Sequence, residues 1–183
     1  MPYLARGKQS DRLRDFCERH YPEAKNDLAT VFLDRCLELC VEGGTSSIVL
    51  PQNWLFLTSY KKLREKLLKN DIWHLVARLG EGGFDSSAAA GAFVAMLSVS
   101  RGMKAQATYG LFDEANKDNQ IRGLDVSEPR TPKEKASGLL VDEVKSVDQR
   151  NQLENPDARV SLTEQLRGEM LQKYALAAQG MPT

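Results

Sequence analysis

The chain has 183 residues, 42% of them apolar and 27% charged, with 25 basic side chains against 25 acidic ones and a formal net charge of zero. That length suits one domain with a real core, or part of a larger one. Residues 1–100 carry 13 basic and 12 acidic side chains and residues 101–183 carry 12 and 13, so no strong basic field is available to hold a polyanion unaided.

Met1 to Ser10 lacks periodicity and reads as an exposed lead-in, although Pro2-Tyr3-Leu4 is an apolar and aromatic triplet. Asp11 to His20 reads as a short helix with Leu13, Phe16 and Cys17 on one side, and Tyr21-Pro22 breaks it because the residue before proline is pushed out of the helical region. Lys8, Arg12 and Arg14 are candidates for phosphate contacts, with Asp11 and Asp15 beside them favouring an ordinary solvated helix. Asn26 or Asp27 can cap a second helix, in which Leu28, Val31, Phe32, Cys36 and Leu39 recur at three- and four-residue spacing, broadened by Leu37 and Cys40. Gly43-Gly44 ends that pattern.

Ile48-Val49-Leu50 is a short apolar run that suits a strand covered on both faces, and Pro51, without an amide donor, belongs at its end. The polar-aromatic corner Gln52-Asn53-Trp54 follows, where an open α/β sheet keeps its ligands, outside the carboxyl ends of its strands. Asn53 and Trp54 are therefore cleft candidates, with plain loop packing as the alternative. Thr58 or Ser59 is placed to cap a third helix, with Leu63, Leu67 and Leu68 inward and Lys61, Lys62, Arg64, Lys66 and Lys69 outward. That basic set is either a solvated face or a surface meeting a phosphate backbone. The order helix, buried strand, loop, helix predicts an α/β fold.

Ile72 to Leu79 is a strand candidate, followed by a turn at Gly80, Gly82 and Gly83 that has neither the lysine nor the serine or threonine of a phosphate-cradling loop. Phe84 behind it is a base-side contact or a plug for the turn. Ala88 to Val99 gives a third buried strand, antiparallel to the second. Beyond Arg101-Gly102, Ala107 to Phe112 offers a short edge strand, and Asn116 to Glu134 reads as loop. Pro132 to Ala136 can begin a helix that Gly138 would interrupt, Asn151 to Arg159 is polar, and Leu162 to Ala178 reads as a terminal helix.

Cys36 and Cys40 share a helix face, and with His20 and His74 a zinc site can be drawn on paper. Buried small hydrophobes in a reducing cytosol are the expectation for all three cysteines, Cys17 included, and no metal site is predicted. Arg6, Lys8 and Asp11 precede any apolar run, which fits neither a signal peptide nor an anchor, and no stretch approaches the apolar length of a membrane span. A cytoplasmic location is expected. His20 and His74 have no convincing partners for nucleophilic catalysis.

Taken together, these segments resemble the catalytic domain of adenine-specific DNA methyltransferases, most closely the methyltransferase subunit of BREX-type phage-defence systems. The resemblance runs from Met1 to about Leu162. It is carried by Pro2-Tyr3-Leu4, by Asp27-Leu28-Ala29-Thr30-Val31-Phe32, by Ser47-Ile48-Val49-Leu50-Pro51-Gln52-Asn53-Trp54, and by Leu63-Arg64-Glu65-Lys66-Leu67. Leu79-Gly80-Glu81-Gly82-Gly83-Phe84, Pro132-Lys133-Glu134-Lys135-Ala136 and Asn155-Pro156-Asp157-Ala158-Arg159 continue it. No one motif is diagnostic, but their order and spacing are specific.

The resemblance implies the C-terminal part of a Rossmann-like, mostly parallel seven-stranded sheet with an antiparallel last strand, its strands here near 47–51, 72–79 and 91–99. It implies a partial catalytic domain over 1–102, a loop-rich family-specific extension over 103–160, and a C-terminal helix and tail over 161–183. It also implies methyl transfer from S-adenosylmethionine to the exocyclic amine of an adenine turned out of DNA, which needs an aromatic platform and hydrogen-bond acceptors. The family's Asn-Pro-Pro-Tyr motif supplies both. Pro2 and Tyr3 match its last two positions, Met1 stands at the first proline, and the asparagine has no counterpart.

Nothing in this sequence matches the glycine-rich cofactor loop or the acidic ribose ligand. The chain is therefore expected to resemble a fragment that binds no cofactor and is inactive alone, with a complementary N-terminal fragment or a defence-system subunit as its partner. An interaction module and a decayed remnant are the alternatives.

Overall fold

A computed structural model describes residues 2–84, 91–102 and 119–162. The first half alternates as the sequence predicts: α1 (Asp11–His20), α2 (Leu28–Leu39), β1 (Thr45–Pro51), α3 (Lys61–Asn70), β2 (Ile72–Gly80) and β3 (Val94–Ser100). Then come β4 (Gln120–Asp125), α4 (Pro132–Val141), β5 (Lys145–Asp148) and α5 (Gln149–Glu154). The result is an α/β fold on a mixed five-stranded sheet of order β1-β3-β2-β4-β5. β3 runs antiparallel to both β1 and β2, β4 runs parallel to β2, and β5 is antiparallel to β4. β1, β2 and β4 thus point the same way, and their carboxyl ends share one end of the sheet.

Local chemistry explains the helix boundaries. The Ser10 side chain accepts from Leu13 N at the start of α1, and Asp27 Oδ1 accepts from Ala29 N at 2.8 Å at the start of α2. α4 opens on a full capping box, Thr131 with Glu134, with Pro132 in its first turn where no amide is missed.

Several expectations are corrected. α2 ends at Leu39, ahead of Gly43, and it is turned from the predicted stripe: Phe32 is 40% exposed and Leu39 is 70% exposed, while Leu33, Asp34 and Leu37 are buried. The polar members of the buried face are the reason. Lys66 Nζ holds both carboxylate oxygens of Asp34, at 2.7 and 2.8 Å, and the Thr30 hydroxyl donates to the Ala24 and Asp27 carbonyls.

On α1, Phe16 lies half-exposed while Cys17 is buried. The third helix is capped at Tyr60, after a single 3-10 turn over Thr58–Tyr60. β1 is not an interior strand covered on both faces: it pairs with β3 alone among the described residues, and only Leu50 of its apolar run is fully buried.

The stretch 116–134 is not all loop, since β4 adds to β2 there, and α4 continues through Gly138. Gly138 is buried, and a Cβ on it would lie 2.8 Å from Val126 Cγ1, so glycine serves close packing rather than a break. The predicted edge strand over 107–112, the start of the third strand before residue 91, and the terminal helix from 163 onward lie outside the described residues.

The core lies between the sheet and its helices, around Leu33, Leu50, Leu63, Leu67, Val76 and Leu97, with Trp54 and Trp73 in tilted contact at 5.6 Å between ring centroids. Arg64, read as outward, is wholly buried: its guanidinium donates to the carbonyls of Leu57 (2.8 Å), Asp157 (2.8 Å), Ala158 (3.1 Å) and Trp54. Burial lowers its pKa to about 10. The planar five-donor fork suits this task, tying the loop after β1 to the turn after α5. Gln149 does the same for β2: its Oε1 accepts from Trp73 N and Asn119 Nδ2, and its Nε2 donates to Leu68 O and Asp71 O.

Among the described residues no helix is long and apolar enough to cross a membrane, and no three His, Cys, Asp or Glu side chains are grouped to hold a metal.

Candidate functional site

At the carboxyl ends of β1, β2 and β4 lies an open cleft of about 740 Å³. An open α/β sheet places its ligands there, because strand ends leave backbone groups and loops facing one crevice. One wall is the start of the 3-10 turn after β1, with Gln52, and the exposed ring of Phe93 just ahead of β3. A second is the end of β2, from Arg78 through Gly80, Glu81 and Gly82. The third is the loop Ser127-Glu128-Pro129-Arg130 between β4 and α4.

The third wall is held tightly. Lys135, 1% exposed on the first turn of α4, donates through Nζ to Leu79 O at 2.6 Å, Val126 O at 2.9 Å and Ser127 O at 3.3 Å. Burial lowers its pKa, while Asp125 and Glu134 oppose that shift. Gly80 and Gly82 carry positive φ, and a Cβ on them would stand 2.8 Å from Ser127 Cβ and 2.6 Å from the Arg130 carbonyl oxygen. These glycines let two stretches of the protein touch, so the turn is filled by protein. That agrees with reading it as a turn and not as a phosphate cradle.

The cleft's charges are balanced, Arg78 and Arg130 against Glu81 and Glu128. Arg78 Nη1 donates to Asp125 Oδ2 at 2.9 Å, and Asp125 Oδ1 accepts from both the amide and the hydroxyl of Ser127. Of the seven buried side-chain polar atoms without a hydrogen-bond partner among the described residues, two belong to residues of this cleft, Gln52 Oε1 and Arg78 Nε. Native interiors rarely leave such atoms unsatisfied, since each costs about 1–3 kcal/mol.

The residues predicted from sequence are scattered around this cleft rather than gathered in it. Tyr3, 42% exposed, is not part of a loose lead-in: its hydroxyl donates to Val49 O at 3.3 Å, near the end of β1. Behind it, Leu28 N donates to Leu4 O and Arg6 N to Asn26 O, and Ala5 bridges Asp27, so the N-terminal segment is stitched to the start of α2. Burial, helped by Asp27, raises the Tyr3 phenol pKa. Pro2 beside it is exposed.

Asn53 is exposed, its carbonyl engaged by the amides of Phe56 and Leu57. Trp54 is 1% exposed in the core, so it lines no cleft. Phe84 is half-buried beyond the glycine turn. Lys8 and Arg12 are exposed, whereas Arg14 is half-buried and bonded to Gln9 O and Asp11.

Gln52, Arg78 and Phe93 are the cleft residues that sequence reasoning passed over. Gln52 stood in the corner already singled out. Only the 3-10 turn Gln52–Leu55 decides that it, rather than Trp54, meets the cleft.

Comparison with known proteins agrees with this fold. Residues 2–83 match the family model of the Eco57I restriction-modification methylase. The adenine-specific methyltransferase PglX of Lacticaseibacillus casei (strain Zhang) is 36% identical over 84 residues, and the adenine-specific methyltransferase BrxX of Escherichia coli O9:H4 (strain HS) is 34% identical over 83. These alignments cover 46% and 45% of this chain but only 7% of either relative's length. A nuclease-deletion mutant of the Type ISP restriction-modification enzyme LlaGI, solved in complex with a DNA substrate mimic, superposes with a TM-score of 0.54 at 13% identity. That superposition covers 80% of this chain and 16% of that one, and it shows a shared fold. The resemblance to adenine-specific methyltransferases read from the sequence is borne out.

Proposed function

We propose, from a chain whose residues 2–83 carry the pattern of the Eco57I restriction-modification methylase family, that it supplies the base-side part of an adenine-specific DNA methyltransferase domain. The observation that carries the reading is the clamp of Tyr3 on β1. Its hydroxyl is held by the Val49 carbonyl while 42% of the residue stays exposed, leaving ring surface on which a base can stack. Pro2 and Tyr3 stand where the last two residues of the Asn-Pro-Pro-Tyr motif would stand. The adenine, turned out of DNA, would lie on that ring. Asn53 at the end of β1 and Phe84 past the glycine turn are the remaining cleft candidates of this reading, and Lys8 and Arg12 are its exposed phosphate contacts.

In the intact family the methyl donor is S-adenosylmethionine, gripped by a glycine-rich loop and an acidic ribose ligand. The described residues do not fit that group: their glycine-rich turn at 80–83 is closed on Ser127 and Arg130, so its backbone is not free to cradle the donor. On this reading the donor is held by other polypeptide, and the chain alone is inactive. The outer edge of β1, unpaired among the described residues, is where the further strands of a seven-stranded sheet would add. That same edge favours a second reading, an interaction module that pairs with another defence-system protein.

The test is transfer of labelled methyl from S-adenosylmethionine to an adenine-containing duplex. The expected outcome is none with the chain alone. Transfer is expected with a co-expressed polypeptide that carries the glycine-rich loop, and Tyr3→Ala abolishes it. Turnover by the isolated chain overturns the inactivity, and transfer that survives Tyr3→Ala overturns the platform.

A further inference from the structure

We propose that the turn over 155–160 is a positioning strap for the corner after β1. Asp157 and Ala158 hold that corner through Arg64 and Thr58, and their left-handed backbone is the strain this grip imposes. The inference deepens the methyltransferase reading, and only what the corner serves rests on that reading.

Asp157 and Ala158 are the two non-glycine residues with positive φ among the described residues, at 57° and 51°, and they are consecutive. L-residues enter this region singly and at a cost, and such strain persists only where the surroundings over-determine it. Here the surroundings are Arg64, whose Nη2 donates to Asp157 O at 2.8 Å and whose Nε donates to Ala158 O at 3.1 Å. Extended backbone sends successive groups to opposite sides, so the left-handed pair is what brings both carbonyls to one guanidinium. The turn is also closed on itself. Pro156 opens it, Ala158 N donates to Asn155 O at 2.8 Å, and Asn155 Nδ2 donates to Arg159 O at 2.7 Å.

The other side of the grip is the corner. The same guanidinium donates through Nη1 to Leu57 O at 2.8 Å and to Trp54 O. Val160 N donates to Leu55 O at 2.9 Å, and the Thr58 hydroxyl donates to Asp157 Oδ2 at 2.8 Å. Thr58, Asp157 and Ala158 do not line the cleft, whereas Gln52, two residues ahead of Trp54, does, and Asn53 lies between them. They are therefore positioning residues: the part of the chain after β3 sets the cleft wall at β1 without touching what the cleft holds.

Amide hydrogen exchange of the full chain tests the strap. The amides of Phe56 and Leu57, both bonded to Asn53 O, report the corner, and those of β2 and β3 report the sheet. Thr58→Val is expected to speed exchange at the corner roughly two- to tenfold, with β2 and β3 unchanged. Asp157→Ala repeats that change, and the two together add nothing. Thr58→Ser and Asp157→Asn, which keep the donor and the acceptor, exchange as wild type. Melting reads the strain: Ala158→Gly raises Tm by roughly 2–4 °C, and the gain disappears in an Arg64→Met background, where nothing holds the turn left-handed.

An unchanged corner in Thr58→Val, equal acceleration in the sheet, or failure of Thr58→Ser to restore the rate overturns the strap. A Tm for Ala158→Gly at or below that of wild type, or the same gain without Arg64, overturns the strain. None of these readouts uses a methyl donor, DNA or Tyr3, so their failure is distinct from failure of the methyltransferase reading.

Discussion

Arg64→Met is the substitution on which the sequence reading and the structure disagree most. If Arg64 faced water beside Lys61, Lys62 and Lys69, its loss would change stability by no more than about 0.5 kcal/mol. In the structure the guanidinium closes onto four carbonyls, and its bonds to Trp54 O and Ala158 O lie fully inside the protein. Methionine fills much of the same space and donates nothing. Two wholly buried carbonyls left unmatched cost about 1–3 kcal/mol each, while those of Leu57 and Asp157 are partly buried and can regain water.

The substitution also relieves the burial of a charge, whose cost shows in the pKa lowered to about 10. The net loss is therefore about 3 kcal/mol, or a fall in Tm of roughly 6–12 °C for a chain of this size. Thermal and urea melts followed by tryptophan fluorescence suit the test, because Trp54 and Trp73 are both buried and the first shares its carbonyl with Arg64. Lys62→Met, on the exposed side of α3, is the control and is expected to melt with wild type. Equal midpoints for the two variants would refute the buried position of Arg64 and return the helix to its outward basic face.

The glycine turn gives a second prediction: Gly82→Ala places a Cβ 2.6 Å from the Arg130 carbonyl at a residue with φ of 73°. A loss of about 2 kcal/mol or more is expected in urea melts. Gly91→Ala, whose added Cβ meets none of the described residues within 4 Å, serves as its control. The third prediction concerns pH. His74 has its pKa lowered, first by burial and then by Arg122, and its Nε2 lies 2.7 Å from Ser100 Oγ. A folded-state pKa below the unfolded value of about 6.5 means the unfolded chain binds the proton more readily. The stabilising contribution is therefore complete above that value and is lost as pH falls through it toward the folded pKa. Melts at pH 7.5 and 5.5 should show wild type losing stability on acidification and His74→Gln losing less, and parallel losses would refute the assignment.

The sequence by itself determined the alternation of helix and strand through residue 100. Capping residues, proline and the period of apolar positions act over one turn or one strand, and they need no knowledge of distant chain. For the same reason it carried the resemblance to adenine-specific methyltransferases, whose motifs are short and follow one another in order. Tertiary structure decided which polar side chains went inside. Asp34 turned α2 because Lys66 lay across from it, and Arg64 went inward because the carbonyls after β1 and α5 converged on it.

Gln149 carries no signal in the sequence, yet Leu68, Asp71, Trp73 and Asn119 all converge on its side chain. β4 and β5 were equally illegible: their apolar residues are few, and their strand character comes from pairing, β4 with β2, more than forty positions back in the chain, and β5 with β4. The corner at 52–54 shows the same limit on the scale of one residue. Its composition marked the right end of the sheet, but a single 3-10 turn sent Trp54 to the core and left Gln52 at the cleft, since side-chain direction depends on the backbone the rest of the fold imposes.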